Sequence, residues 1–158
     1  MTSLQSLSFS GELLQRGFWL YVWEVTAADG RTVHYVGRTG DSSSPNAQSP
    51  FTRLSQHLGT NVHANALSRH LMNAGIDPKT CCSFDLVACG PILPAATTME
   101  DHRPRRDKVA AMEKALHDVL HNAGYTVLNE VHSRQRVDDP LWQDVLAAFA
   151  ERFPKLRA

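Results

Sequence analysis

Residues 19–40, WLYVWEVTAADGRTVHYVGRTG, decide the fold of this chain. They form two runs rich in aromatic and β-branched residues, which favour β-strands. Between the runs lies Asp29-Gly30, a dipeptide that favours the tight turn of an antiparallel hairpin. In the first run, apolar side chains occupy both alternating faces, as they do in a strand that is covered on both sides. The sequence therefore predicts a buried β-hairpin.

A short helix is predicted after the hairpin, in residues 49–58, SPFTRLSQHL. Ser49 can cap this helix, and Pro50 suits its first position because the first backbone N–H groups of a helix have no partner inside it. The apolar residues of the helix form one stripe. Arg53 and His57 are four residues apart and therefore share another face.

Four polar side chains from these elements could act together. Tyr21 and Tyr35 stand on the two strands, and Arg53 and His57 stand on the helix that follows. A guanidinium can pair with two phosphate oxygens and keeps its charge, while phenols and imidazoles can transfer protons. The pattern indicates a site that handles phosphate, with a purely structural role for the strand tyrosines as the alternative.

The whole chain predicts a single α/β domain of the α+β type, residues 1–158, in which helices flank a small three-stranded mixed antiparallel sheet. The further predicted elements are a helix over 61–73 with Leu67, Leu71 and Met72 inward, a strand over 82–88, an irregular connection over 91–106, a helix over 107–122, an extended segment over 125–129 and a closing helix over about 140–153. The connection is expected to be irregular because its prolines oppose regular structure.

Composition argues against several classes of protein. The chain has 16 basic and 16 acidic residues, and a net charge of zero disfavours a large nonspecific nucleic-acid surface. A local patch can still bind phosphate, and residues 102–108, HRPRRDK, form the most basic run. The chain has no apolar run of the roughly 20 residues that a membrane helix needs. Three cysteines without a CxxC pair argue against structural zinc and a disulfide framework, so we expect a cytoplasmic protein.

Glu113 lies at the border of the apolar face of the predicted helix over 107–122. A carboxylate there needs a partner, because burial of an unpaired charge is costly. The partner could be an arginine in a structural salt bridge or a metal ion, and the helix pattern leaves both open. His117 and His121 follow at i+4 and i+8, but this span of about 12 Å is too long for one tetrahedral zinc ion.

These residues resemble the motifs of the GIY-YIG nuclease family over about residues 17–130. Trp19-Leu20-Tyr21 stands where Gly-Ile-Tyr is usual, and Tyr35-Val36-Gly37 stands where Tyr-Ile-Gly is usual. The family then has a helical arginine, often followed four residues later by a histidine or tyrosine, and further on a helical glutamate and an asparagine. The positions that match these are Arg53, His57, Glu113 and Asn129.

The resemblance implies a metal-dependent DNA endonuclease. Tyr21 would be the general base, with His57 accepting its proton or a hydrogen bond from it, and Arg53 would bind the phosphate. Glu113 would hold one divalent cation, Mg²⁺ with Mn²⁺ as an alternative. A hard cation of this kind binds one or two carboxylates together with waters and phosphate oxygens.

Other residues are expected to support this site. Tyr35 would position water or phosphate, and Asn129 would hold the metal-binding helix or Tyr35 by hydrogen bonds. We expect nearby positive charges to lower the pKa of Tyr21 from its usual value of about 10. The candidate substrate-binding residues are Gly37, Arg38, Arg31, Arg105 and Arg106.

Three classes of function stay open at this stage. The first is the endonuclease, which could act as a homodimer because one chain offers one set of catalytic residues and no internal repeat. The second is a nucleic-acid-binding module with the same fold and no activity. The third is an unrelated soluble interaction domain whose tyrosine hairpin is only structural.

Overall fold

A computed structural model describes residues 2–137 and 140–157. It confirms the predicted α+β fold, with a three-stranded antiparallel sheet in the order β2-β1-β3 and helices against it. The strands are β1 (Phe18–Thr26), β2 (Thr32–Arg38) and β3 (Ser83–Leu93), and the helices are α1 (Pro50–His57), α2 (Ala66–Asn73), α3 (Met99–Asn122) and α4 (Pro140–Arg152). Three short 3₁₀ turns cover Gly11–Leu14, Pro78–Thr80 and Pro154–Arg157. No helix in the described ranges is long and apolar enough to cross a membrane.

The predicted hairpin forms the centre of the sheet. Its turn is closed by the backbone N–H of Ala27, which donates to the carbonyl oxygen of Arg31 at 2.8 Å. In the register of β1 and β2, Tyr21 lies directly opposite Gly37. Strand β3 pairs with the other edge of β1, so β1 is the middle strand, and this explains why apolar side chains occupy both of its faces.

The two faces of β1 contribute to two separate cores. Leu20 and Val22 pack with residues of α3 and α4 on one face of the sheet. Tyr21, Trp23 and Val25 pack with residues of α2 on the other face, where apolar side chains of α1 also contribute. The sheet is therefore covered by helices on both sides, as the two-sided apolar pattern of the first run predicts.

The predicted extended segment over 125–129 lies along the free edge of β2. The carbonyl oxygen of Thr126 accepts a hydrogen bond from the N–H of His34 at 2.8 Å, and the N–H of Leu128 donates to His34 at the same distance. Val127 forms a parallel bridge with His34, which gives this side of the sheet its mixed character. The chain beyond α3 thereby returns to the sheet close to Tyr35.

The prediction of an irregular connection over residues 91–106 is wrong at both ends. Strand β3 continues to Leu93 through Pro91, and an edge strand tolerates proline because its outer side needs no ladder N–H. Helix α3 begins at Met99 rather than at residue 107, and it contains Pro104. The Thr98 side chain accepts a hydrogen bond from the N–H of Asp101 and so caps this early start.

Helix α2 is shorter than the predicted helix over 61–73. It begins at Ala66, and residues 62–64 form turns before it. Leu67 and Leu71 are buried as predicted. Met72 does not point inward, because its side chain is 52% exposed. The predicted closing helix is confirmed as α4, which ends at Arg152.

Candidate functional site

A buried hydrogen bond between a phenol and an imidazole lies at the centre of the candidate site. The hydroxyl oxygen of Tyr21 is 2.6 Å from Nε2 of His57. The two rings meet edge to face with centroids 5.5 Å apart. Tyr21 is 2% exposed and His57 is 7% exposed. Strand β1 and the last turn of α1 thus bring the predicted general base and its predicted hydrogen-bond partner together.

Gly37 makes this contact possible. A Cβ atom at this position would lie 2.5 Å from both Cζ and Oη of Tyr21, closer than any two such atoms can approach. The Tyr21 ring therefore crosses the strand over Gly37 to reach His57. Gly37 is itself buried beneath this ring, and its contact is with Tyr21.

Burial dominates the electrostatics of the pair. It raises the pKa of the Tyr21 phenol far above its ordinary value and outweighs the opposing positive charges of Arg53 and Arg38. The two arginines act in the expected direction, but the net pKa of Tyr21 lies above its usual value, so the expectation of a lowered Tyr21 pKa is wrong for the free protein. Burial, assisted by the charge of Arg53, lowers the pKa of His57 to about 4. His57 is consequently neutral at neutral pH, and its Nδ1 is buried without a hydrogen-bond partner among the described residues.

Tyr35 lies between two imidazoles. Its ring centroid is 5.1 Å from that of His57 and 5.6 Å from that of His70 on α2. Burial raises the pKa of Tyr35, and it lowers the pKa of His70 together with the charge of the adjacent Arg69. His70 could not be selected from the sequence, because it lies on another helix and only the folded chain brings it to Tyr35.

Glu113 and Arg38 form an ion pair. Nε of Arg38 donates to Oε2 of Glu113 at 2.7 Å. The Arg38 side chain is 17% exposed and the Glu113 side chain is 15% exposed. Burial raises the pKa of Glu113, and the charge and hydrogen bond of Arg38 oppose this rise. A second guanidinium nitrogen of Arg38, Nη1, is buried without a partner in the described part of the chain. Of the two partners that the sequence allows for Glu113, an arginine or a metal ion, the arginine is therefore present as Arg38.

Arg53 is also paired with a carboxylate. Its Nη2 contacts Oδ1 of Asp41, and its Nη1 donates to the side-chain oxygen of Gln56 at 3.0 Å. Asp41 lies in the loop after β2, and its side chain is 45% exposed. The sequence does not single out Asp41, because a carboxylate in a polar turn-rich loop usually faces solvent.

Asn129 joins β2 to α3. Its side-chain oxygen accepts from the N–H of Val36 at 3.0 Å, and its side-chain nitrogen donates to the carbonyl oxygen of Val36 at 2.8 Å. The carbonyl oxygen of Asn129 accepts from Nε2 of His117 on α3 at 2.9 Å. Asn129 thus fixes the residue that follows Tyr35 and holds the helix that carries Glu113, as predicted.

Three predicted substrate-binding arginines lie outside the group of side chains around Tyr21 and His57. Arg31 is in the turn at the far end of the hairpin, where it pairs with Asp29 at 2.7 Å. Arg105 donates to the carbonyl oxygens of residues 94 and 95, just before α3. Arg106 pairs with Asp107, its neighbour on α3, about 10 Å along the helix axis from Glu113.

The other predicted residues form one cluster. Arg53, Tyr35, Glu113 and Arg38 are all close enough to Tyr21 for their charges to change its pKa. Within residues 2–137 and 140–157, no three His, Cys, Asp or Glu side chains converge as a metal site. Glu113 alone still fits Mg²⁺, which binds through one or two carboxylates when substrate phosphates and waters complete its octahedral shell.

Comparison with protein-family models, with curated proteins and with solved structures found no match for this chain.

Proposed function

We propose that this protein is a metal-dependent DNA endonuclease of the GIY-YIG type. The observation that carries this proposal is the 2.6 Å contact between Tyr21 and His57 within a cluster that also contains two arginines and Glu113. Hydrolysis of a phosphodiester needs an activated water, neutralisation of the phosphate charge and stabilisation of the leaving oxygen. The cluster contains a group suited to each task.

Tyr21 and His57 would activate the water as a relay. Because burial keeps the Tyr21 phenol protonated, it need not ionise before the reaction. The water gives a proton to Oη of Tyr21 while the phenolic proton passes to Nε2 of the neutral His57, and the resulting hydroxide attacks phosphorus. His57 becomes imidazolium, the bond from phosphorus to the leaving oxygen breaks, and the leaving oxygen takes a proton from solvent, to which the imidazolium then returns its own proton.

Arg53 and Arg38 would bind the phosphate that is attacked. Each guanidinium can donate two parallel hydrogen bonds, which suits phosphate oxygens, and Nη1 of Arg38 has no partner among the described residues. Glu113 would hold Mg²⁺, or Mn²⁺ in its place, and the bound cation would supply Lewis-acid stabilisation of charge on phosphate and leaving oxygen. Tyr35, which lies between His57 and His70, would position the phosphate or the water.

The proposed setting follows from the chemistry of the site. One chain carries one set of these residues, so it would cut one DNA strand per encounter, and a homodimer would supply the second site that a double-strand break needs. The three cysteines are free thiols, which fits a protein that works in the reducing cytoplasm.

A nucleic-acid-binding module without activity is the second candidate. The observation that favours it is the Arg38–Glu113 ion pair. If this pair persists when DNA binds, Glu113 stays a structural residue and no cation enters the site.

Incubation of the purified protein with supercoiled plasmid separates the two candidates. The proposed endonuclease nicks the plasmid in Mg²⁺ and stops when EDTA is added. DNA binding without any cleavage in Mg²⁺ or Mn²⁺ would instead establish the binding module and refute the proposal.

A further inference from the structure

Both arginines of the candidate site are occupied by carboxylates in the free protein. Arg38 pairs with Glu113 at 2.7 Å, and Arg53 pairs with Asp41. The two pairs differ in burial, since the Glu113 side chain is 15% exposed and the Asp41 side chain is 45% exposed. A phosphate that binds Nε of Arg38 or Nη2 of Arg53 would therefore replace a carboxylate, and a cation that binds Oε2 of Glu113 would replace Arg38.

Asp41 is held in this position from both sides. On one side, the Thr39 hydroxyl donates to the carbonyl oxygen of Gly17 at 2.6 Å. On the other side, Nε2 of the fully buried His102 donates to the carbonyl oxygen of Ser42 at 3.3 Å. The loop is thus anchored on both sides of Asp41, which keeps its carboxylate close to Arg53.

We propose that phosphate and the divalent cation bind this site cooperatively, because phosphate on Arg38 releases Glu113 for the cation and the cation on Glu113 releases Arg38 for phosphate. Asp41 is in addition an internal competitor of phosphate for Arg53. This inference rests on the proposed function and specifies how that site is loaded. It assigns a role to Asp41, which the sequence did not select.

The buried pair explains the cooperativity. A cation that binds Glu113 alone would leave Arg38 without a partner in a largely buried place, and a phosphate that binds Arg38 alone would do the same to Glu113. Removal of one member of such a pair is strongly unfavourable. When both ligands bind, phosphate satisfies Arg38 and the cation satisfies Glu113. Each ligand thereby removes the penalty that the other meets, and this coupling is reciprocal by thermodynamic necessity.

The exposed pair has a different consequence. When phosphate displaces Asp41 from Arg53, the half-exposed Asp41 carboxylate returns to water at little cost. Asp41 therefore weakens DNA binding by competition but does not couple it to the cation. The two carboxylates of the site should consequently respond differently to substitution.

Calorimetric titration of Mn²⁺ and of a 20-base-pair DNA duplex measures this coupling without reference to activity. The experiment uses the Tyr21→Phe protein, so that the duplex stays intact. We expect saturating duplex to strengthen Mn²⁺ binding about 5–150-fold, the usual range of coupling between sites, and saturating Mn²⁺ to strengthen duplex binding by the same factor. A coupling factor near one would overturn the inference.

Two substitutions in the same background test the roles of the two pairs. Arg38→Met frees Glu113, so it should strengthen Mn²⁺ binding to the protein without DNA and reduce the coupling factor. Asp41→Asn is the matched control, and it should strengthen duplex binding while it leaves the coupling factor unchanged. Unchanged Mn²⁺ affinity in Arg38→Met, or weaker duplex binding in Asp41→Asn, would contradict the proposal.

The outcome for this inference can be separated from that for the proposed function. The coupling factor needs no substitution at Arg38, so it can be measured even if Arg38→Met does not fold. Metal-dependent plasmid cleavage by the wild-type protein combined with a coupling factor near one would refute the cooperative loading and leave the endonuclease in place. Absence of both cleavage and Mn²⁺ binding would refute both.

Discussion

Substitution of Gly37 by alanine should displace Tyr21 from His57. The added Cβ would lie 2.5 Å from Cζ and Oη of Tyr21, whereas ordinary van der Waals contact begins at 3.4 Å. The ring must therefore retreat by about 1 Å, and it has little room to do so because Tyr21 is 2% exposed. Overpacking of this kind costs about 1–3 kcal/mol, which corresponds to a Tm lower by roughly 2–12 °C in a domain of this size.

The same displacement should slow the reaction. A misplacement of about 1 Å can reduce a rate by about 10²-fold, and here the displaced atom is the hydroxyl that would transfer the proton. Plasmid nicking under single-turnover conditions measures the rate, and thermal unfolding followed by circular dichroism measures the Tm. Gly11→Ala is the matched control, because no atom lies within 4 Å of a Cβ at that position, and it should leave both quantities unchanged.

A double substitution identifies the cause of the loss. If Gly37→Ala acts through the Tyr21 hydroxyl, then Gly37→Ala combined with Tyr21→Phe should cleave no more slowly than Tyr21→Phe alone, because the hydroxyl is already absent. Additive losses would show that Gly37 acts elsewhere. Wild-type cleavage and Tm in Gly37→Ala would refute the argument that the bare glycine positions the ring.

Three further outcomes are expected. Tyr21→Phe keeps the ring and should lower the cleavage rate at least about 10²-fold in the nicking assay, and near-wild-type cleavage would move the base role to His57. Arg53→Lys should also severely reduce the nicking rate, because an ammonium cannot replace a bidentate fork, and an unchanged rate would exclude Arg53 as the phosphate ligand. The free energy of unfolding should fall as the pH drops from 6.5 to about 4, because the unfolded chain protonates His57 and the folded protein resists it, for a total of roughly 3 kcal/mol. Urea unfolding should show this slope in the wild type and a smaller one in His57→Gln, and equal slopes would contradict the burial of a neutral ring.

The central part of the fold could be predicted because its signals are local. The hairpin follows from a turn dipeptide between two strand-forming runs, and α1 follows from Ser49 and Pro50 at its start. The extents of β3 and α3 could not be predicted, because proline usually interrupts strands and helices, so that Pro91 and Pro104 indicate irregular structure. An edge strand tolerates the first proline, and the second lies in a helix that already has a capped start and a long packed body.

The residues that form the candidate site could be predicted better than their ion-pair partners and pKa shifts. Tyr21 and His57 can be placed in one site from the sequence, because closely following elements, β1 and α1, carry them. The partner of Glu113 could not be identified, because Arg38 is 75 residues away in the sequence and only the folded chain joins them. The pKa of Tyr21 was predicted in the wrong direction, because nearby arginines are visible in the sequence and the degree of burial is not.

Plasmid cleavage by the wild-type protein and by Glu113→Gln, at equal concentrations in Mg²⁺, tests the central claim most directly. We expect the wild type to accumulate nicked circles before linear DNA and to stop in EDTA. Glu113→Gln should leave the plasmid supercoiled while its circular dichroism spectrum shows a folded protein, because an amide cannot hold the cation as a carboxylate does. Cleavage by folded Glu113→Gln at the wild-type rate, or no cleavage by the folded wild type in either Mg²⁺ or Mn²⁺, would contradict the account.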